Sequence, residues 1–508
     1  MQTPADADTL DHWTLRTDSG QTLCVPPAMS SMTSYVLLEQ EHWFEPEMSL
    51  LPRLLLPGMQ ALDIGANHGL VTLEIARCIG PGRVWAFEPT SAPRRRLARS
   101  VVLNGLSDRV VVVDAGLSDR PGQASFAIHE NSELNSSGGA GERRETVRLE
   151  TLDAFLATHA QGVNIDFIKL DAEGDETRVL AGGARFFAEQ SPVVLFELKH
   201  GDVVNTGLLD AWQALGFGLF RWSAELGLLR PYLGADEEAA FALNLVAVRP
   251  AQQTRLASRG LLTTERSLRE VRLPVPSAQA LDDWCAQPSQ RGLGVPAAGP
   301  RTGADAVLSQ VYGDSLRAVA SAHLQADLAP ADRLALLVQA GENMLAAQAS
   351  AAGFMPEAWA LVVHCWHAIG QPLAAVRLAS QLLAQWPPQI EVQRAFVPPL
   401  RADLARQRSS DASSWLRQML AEFVATKSSF SSYFGAPTPE RWAALLDHPD
   451  HSAEIERRYL LSHMIEDRAA PLDRLRLLPA AAHTCNPAMW QALMQAARAI
   501  RAEALQAA

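Results

Sequence analysis

Met59-Gln-Ala-Leu-Asp-Ile-Gly-Ala-Asn-His-Gly69, then Leu70–Ile79, then Arg83-Val-Trp-Ala-Phe-Glu-Pro89, is the stretch whose reading decides the fold. A short apolar run, Ala61–Ile64, ends in a glycine cluster, a helical pattern follows, and a second apolar run ends in an acid. This is the grammar of a β-α-β unit opening a parallel sheet. Gly65 lets the chain turn sharply off the strand with no Cβ in the way, and Gly69 lets a helix start close to the strand end. Ligands of open α/β sheets bind in the crevice beyond the carboxyl ends of the strands. Glu88, closing the second strand, is placed to accept hydrogen bonds from two ribose hydroxyls.

The competing reading is a dinucleotide fold. A pyrophosphate site wants Gly-x-Gly-x-x-Gly, so that phosphate oxygens approach bare backbone. Here the spacing is Asp-x-Gly-Ala-Asn-x-Gly, with Asp63 just before the first glycine. A carboxylate there repels a pyrophosphate and suits a cationic ligand. S-adenosylmethionine (SAM) carries a sulfonium and an amino group and no phosphate. Asp63, the loop Gly65, Ala66, Asn67 and Gly69, and Glu88 therefore point to a methyl donor as cofactor.

The 508 residues suggest two or three domains. A net charge of -12 is unevenly spread: residues 1–250 hold 20 Lys+Arg against 33 Asp+Glu. An acidic front half argues against nucleic-acid binding, which needs clustered Lys and Arg. Cys24, Cys78, Cys285, Cys365 and Cys485 form no Cys-x-x-Cys pair, so neither zinc nor a disulfide framework is read. No signal-peptide pattern opens the chain, and no apolar run approaches membrane-spanning length, so a cytoplasmic location is expected.

Residues 1–58 read as an N-terminal segment, with strand-like pieces in Thr14–Val25 and a helical pattern over Tyr35–Leu56 that can lie over the crevice or pack on the sheet edge. Beyond Glu88, Arg94, Arg95, Arg96 and Arg99 decorate a helix that Gly105 stops, their charges forming a solvated face. Val110–Val113 is a third strand, and Asp114 at its end either accepts from an adenine amino group or is a turn residue. Gln123–His129 and Thr146–Leu149 read as an inserted antiparallel hairpin around a Gly/Ser/Asn-rich loop at 131–141. Ile165–Leu170, Val193–Leu198, Gly218–Trp222 and Leu243–Val248 complete seven strands. The sheet closes before the Pro/Gly-rich stretch, so the chain up to about residue 255 is expected to fold as a unit.

With these motifs in order, the chain resembles the FkbM family of SAM-dependent methyltransferases over roughly residues 30–250. The resemblance rests on Asp-Ile-Gly-Ala-Asn-His-Gly (63–69), Phe-Glu-Pro (87–89), Asn104, Thr-Leu-Asp (151–153), Ile-Lys-Leu-Asp-Ala-Glu-Gly-Asp-Glu (168–176), Val-Leu-Ala-Gly (179–182) and Phe-Glu (196–197). His68, where the family has a small or apolar residue, is a minor departure. The resemblance implies an α/β fold with a seven-stranded, Rossmann-like class I methyltransferase sheet, and O-methylation of hydroxyls on sugars, polyketides or related natural products.

Methyl transfer to a hydroxyl needs in-line positioning and removal of a proton. Lys169, Asp171, Glu173, Glu197 and His200, at the ends of the fourth and fifth strands, are the catalytic candidates. Grouped carboxylates raise one another's pKa, which makes one a better base near neutrality. The chain holds three lysines, Lys169, Lys199 and Lys427, and two of them fall at these strand ends. Oxygen ligands on Asp171, Glu173 and Glu197 suit magnesium, but such acids also cap strands, and no metal site is assigned.

The organisation expected is a segment at 1–58, a methyltransferase domain at 59–250, a linker at 251–303 that is rich in Pro and Gly from Leu273, and an all-α domain at 304–508. Pro356–Pro387 has the offsets of one tetratricopeptide-type hairpin, without a second copy, so a mixed helical bundle is expected. The pairs His364/His367 and His448/His451 are read as structural. The function read is a SAM-dependent O-methyltransferase taking a small-molecule or glycan acceptor, with the helical half binding a protein partner or a second copy. A nicotinamide-dependent oxidoreductase and a non-catalytic adaptor acting through the helical half are the alternatives.

Overall fold

The computed structural model describes residues 12–128, 143–200, 203–234, 243–264, 304–324, 328–350, 355–387, 392, 411–434, 439–465, 475 and 485–507. The tip of the inserted hairpin and the stretch Leu273–Gly303 lie outside these residues.

Eight strands form the central sheet: β1 Gln60–Ile64, β2 Arg83–Phe87, β3 Val110–Val113, β4 Phe167–Leu170, β5 Val193–Glu197, β6 Gly218–Ser223, β7 Leu228–Pro231 and β8 Asn244–Val248. Their order is β7-β6-β8-β5-β4-β1-β2-β3. The strands β3-β2-β1-β4-β5 run parallel, and β8 is antiparallel to both β5 and β6. All seven expected strands are present. The eighth, β7, pairs antiparallel with β6 at the outer edge. The chain leaves β1 toward β2 on one side and reaches β4 on the other, so the crevice opens between β1 and β4. In that register Asp63 stands opposite Lys169.

The parallel strands read as continuous apolar runs because both faces are covered: Leu62, Phe87, Ile168 and Phe196 sit in one core, Ala61, Val84, Phe167 and Leu195 in another. The inserted hairpin is Gly122–Ile128 against Arg143–Glu150, with Gly116–Leu117 as a third strand.

The helix expected over Tyr35–Leu56 is not continuous. A helix spans Met32–Gln40 and stops at Glu41, whose φ is 66°; a 3-10 turn at Pro46–Ser49 and a short helix at Leu51–Leu54 follow. Pro46 and Pro52, each without an N–H, occupy the first turns of these pieces, where that donor is not needed. The start of the expected linker is also structured. Pro250–Ser258 is a helix with Leu256 buried, and Leu229 bridges to Leu262 beside it.

Beyond the linker the described residues are helical: Ala304–Leu324, Pro330–Ser350, Pro356–Ala368, Pro372–Ala384 and Ala412–Lys427, each packed on the next, then Pro439–Leu446, Ala453–Ile465 and Pro487–Ala507. This half shares its cores with the front half. Leu460, Leu461 and Trp490 pack with Tyr35, Leu37 and Leu73, while Leu226 and Leu228 pack with Tyr312, Leu361 and Leu420. Buried polar contacts cross the same boundary: the Glu39 carboxylate accepts from Ser431 and Ser432 and faces Arg458, and Arg230 donates to the Ile369 carbonyl. These shared cores argue against a front half that folds alone. No helix among the described residues is long and apolar enough to cross a membrane.

Candidate active site

The loop after β1 is built by backbone geometry. Gly65 has φ +83°, and a Cβ there would lie 1.7 Å from the Asp171 carbonyl oxygen. Gly69, at φ +94°, has no room beside Leu97, and Asn67 also takes a left-handed φ of 47°. The Gly65 and Ala66 amides donate to the Phe87 carbonyl, tying the loop to the end of β2.

Asp63 is fully buried at the base of this loop. One carboxylate oxygen accepts from the Thr72 hydroxyl, and Oδ1 has no hydrogen-bond partner. Burial pushes its pKa up to about 6, with Thr72 and Lys169 holding it lower than burial alone would. Glu88 is buried too; Oε1 accepts from the Thr90 amide and hydroxyl, and Oε2 from the Asn67 amide at 2.9 Å. Burial raises Glu88, against the pull of those bonds. Its carboxylate is thus fixed at the loop with lone pairs to spare. His68 is buried, and burial lowers its pKa to about 3, so it stays neutral.

Asp114 lies apart from this arrangement. Its side chain is 66% exposed and pairs with Arg94 at 2.8 Å. Arg94 also donates to the Glu88 and Pro89 carbonyls, so it ties two strand ends together and is not part of a solvated face.

Across the crevice a second cluster forms around Lys169. Its ammonium, buried, donates to Asp171 Oδ2 at 2.7 Å, and Asp171 Oδ1 has no hydrogen-bond partner. Burial disfavours the ammonium, but Asp171, Glu45 and Glu197 outweigh it and raise its pKa above the ordinary lysine value. Burial, then Asp171 and Glu173, raise Glu197 far above an ordinary carboxylate, the neighbouring negative charges disfavouring its ionised form. Glu173 sits half-buried in the loop after β4 with φ 52°. Lys199–His200 is a two-residue strand paired with Val203–Val204, and their side chains lie outside those described.

Carboxylate oxygens of Asp171, Glu176 and Glu197 lie within 4.8 Å of one another. The trio weighed from the sequence, without a metal site being assigned, had Glu173 in place of Glu176. Glu176 already accepts from the Ala172 and Gly174 amides, and the Lys169 ammonium already supplies a cation to Asp171.

Sequence reasoning missed three members of this neighbourhood. Glu45 and Glu47 come from the segment before the domain, and Asn244 opens β8 in register with Glu197. The Asn244 amide donates to Glu45 at 3.1 Å and contacts Glu47 at 3.5 Å. Burial, with Glu45 next, pushes Glu47 up to about 8, and burial also raises Glu45. The only sequence signal was a pair of acids flanking Pro46 in an otherwise apolar stretch.

A parallel sheet in this order, a left-handed glycine loop after β1 and a buried acid closing β2 define a class I methyltransferase fold, followed here by an all-α half. Residues 63–217 match the Methyltransferase FkbM domain, and the chain carries a methyltransferase domain of that family. Among curated proteins, it is 25% identical over 186 residues to the methyltransferase sdnD of Sordaria araneosa, covering 30% of this chain and 67% of that one. It is 27% identical over 244 residues to the antimetabolite synthetase AmbE of Pseudomonas aeruginosa, covering 40% of this chain and only 11% of that one. Solved structures similar in part include an FkbM methyltransferase from Methylobacillus flagellatus, with 17% identity, a TM-score of 0.26, and 44% of this chain and 56% of that one covered. A SAM-dependent O-methyltransferase from Thermotoga maritima shows 13% identity, a TM-score of 0.25, and coverage of 47% and 77%.

Proposed function

We propose that this chain transfers a methyl group from SAM to a hydroxyl of a small-molecule or glycan acceptor. The observation that carries the cofactor reading is Asp63, a fully buried carboxylate with one oxygen unsatisfied beneath a loop whose Gly65 has no room for a Cβ. An unsatisfied buried charge is costly, and a cationic ligand relieves that cost. SAM, when bound, supplies an electrophilic methyl on a sulfonium. Asp63 and the backbone of Gly65, Ala66, Asn67 and Gly69 would hold its amino-acid and ribose portions. Glu88 would accept from the ribose hydroxyls. Asp114 would reach an adenine amino group only by giving up Arg94.

The Lys169 cluster is the acceptor side of this reading. Asp171 carries the open oxygen, and we assign it the proton of the attacking hydroxyl, with the carboxyls of Glu197 and Glu173 beside it. Lys169 keeps the pair oriented and stabilises a developing alkoxide. His200, which follows β5 in the chain, is proposed as a further catalytic candidate on its sequence position. A chain with a buried ammonium inside its acids already holds the countercharge a metal would bring.

The test pairs two measurements on Asp171→Asn and Glu197→Gln: methyl transfer from labelled SAM to a panel of hydroxylated acceptors, and SAM affinity by calorimetry. Loss of a general base costs about 10²–10⁴ in rate, with SAM affinity retained within a few-fold. Variants that lose affinity and rate together would move these acids to the cofactor side. Wild-type turnover would remove them from the mechanism.

A further inference from the structure

A cavity of about 430 Å³ lies where the carboxyl edge of the sheet meets the helical half. The front half contributes the 40–47 segment, the end of β6 and the start of β8; the helical half contributes residues near His367 and the stretch 426–430. Its size falls in the range of small-molecule sites, which run from about 300 to 1,000 Å³. Resting on the methyltransfer reading above, we infer that this cavity is the acceptor chamber, that the helical half is its outer wall, and that it takes a neutral, polyhydroxylated ring compound of saccharide type.

Position is the first argument. Asn244 lines the cavity and is the register partner of Glu197, while its amide bonds Glu45, whose charge is felt by Lys169. The cavity floor is therefore one residue from the acids assigned to the acceptor, and on the far side of them from Asp63 and Glu88. The lining is the second argument. Phe44 from the front half and Phe430 from the helical half meet at 5.6 Å between ring centroids, and Trp222 adds a third aromatic whose Nε1 donates to Ser49. Among these rings stand Glu47, Arg221 and Lys427. Arg221 gives one N–H to the Gly370 carbonyl, and its guanidinium has four further donors. A wholly apolar ligand would strip water from these groups without replacing it. A strongly charged one would oppose the acids Glu47, Glu225 and Glu454 if anionic, or Arg221, Lys427 and Arg458 if cationic. A polyol with apolar ring faces satisfies both the aromatic rings and the mixed donors and acceptors.

The experiment uses the full chain and ligand-observed saturation-transfer NMR with glucose, galactose, mannose, rhamnose and N-acetylglucosamine, in the presence of SAM. Two variants from the helical wall, Phe430→Ala and Lys427→Met, are compared with wild type, with thermal melts as the folding control; Lys427 is exposed, so its variant keeps the fold. The inference expects saturation transfer to at least one sugar in wild type, at least tenfold weaker binding in both variants, and SAM affinity unchanged. Sugar binding untouched by either variant would overturn it, as would SAM binding with no sugar response at all. Sugar binding that depends on Phe430 in a chain that binds no SAM would sink the methyltransfer reading and leave the chamber standing.

Discussion

Replacing Asp63 by Asn separates what the fold spends on this carboxylate from what the carboxylate does. Burial moves Asp63 from its ordinary 3.8 to about 6. About two pH units at 1.36 kcal/mol per unit is about 3 kcal/mol of preference for the protonated form. The sign follows from linkage: a carboxyl raised in the folded state contributes stability that is full below about pH 4 and lost as pH rises through about 6. The ligand-free wild type should therefore be less stable at pH 7.5 than at pH 5 by about 1.4 kcal/mol from Asp63 alone, the rest of the loss falling between about pH 4 and pH 5. Asp63→Asn should lose that part of the slope, because an amide does not titrate. Absolute stability at pH 7.5 should rise by less, since an amide nitrogen at the unpartnered oxygen would cost about 1–3 kcal/mol. SAM affinity should move the other way. A charge-assisted hydrogen bond is worth about 1.5–3 kcal/mol, so the variant should bind about ten- to a hundredfold more weakly at pH 7.5. Wild-type affinity should itself fall as pH drops below about 6. Urea melts at the two pH values and calorimetry with SAM read all of this. An unchanged pH slope together with unchanged SAM affinity would refute both the burial argument and the cofactor assignment.

Gly65→Ala should lower the melting temperature and abolish SAM binding, since its Cβ would fall 1.7 Å from a carbonyl oxygen and the backbone strain alone costs about 1–3 kcal/mol; a variant with wild-type melting would contradict the loop geometry. Lys169→Met leaves buried acids without their countercharge and should destabilise by about 3–5 kcal/mol, a loss recovered in part as pH falls and the acids protonate; equal destabilisation at pH 5 and pH 8 would argue against the cluster. A chain truncated after Thr264 should be insoluble or melt without cooperativity, because it exposes Tyr35, Leu37, Leu226 and Leu228 and strips Glu39 of its partners. A sharp melt like that of the full chain would show the halves to be independent after all.

The parts that were legible in the sequence are those whose causes are local. The five parallel strands are apolar runs ended by Gly or acid, and Asp63, Gly65, Gly69 and Glu88 follow from what a strand-to-loop turn demands. Lys169 and Asp171 were readable as neighbours because residues two apart on a strand share a face. Other features depend on contacts between distant segments. Nothing near Glu45, Glu47 or Asn244 says that Glu45 and Glu47 will meet the start of β8, about 200 residues later in the chain. Glu176 reads as one more acid in a run, and only its bonds to the Ala172 and Gly174 amides reveal it as the brace of the loop. The break in the helix expected over Tyr35–Leu56 was written in Pro46 and Pro52, which the apolar periodicity overrode. His367, read as structural, lines the cavity between the halves, a placement that periodicity could not supply.

Titrating SAM, and separately NAD, into the full-length chain by calorimetry at pH 7.5 tests the central claim most directly. The account predicts saturable binding of SAM that raises the melting temperature, and no heat from NAD beyond dilution. Binding of NAD without SAM, or of neither, would contradict it.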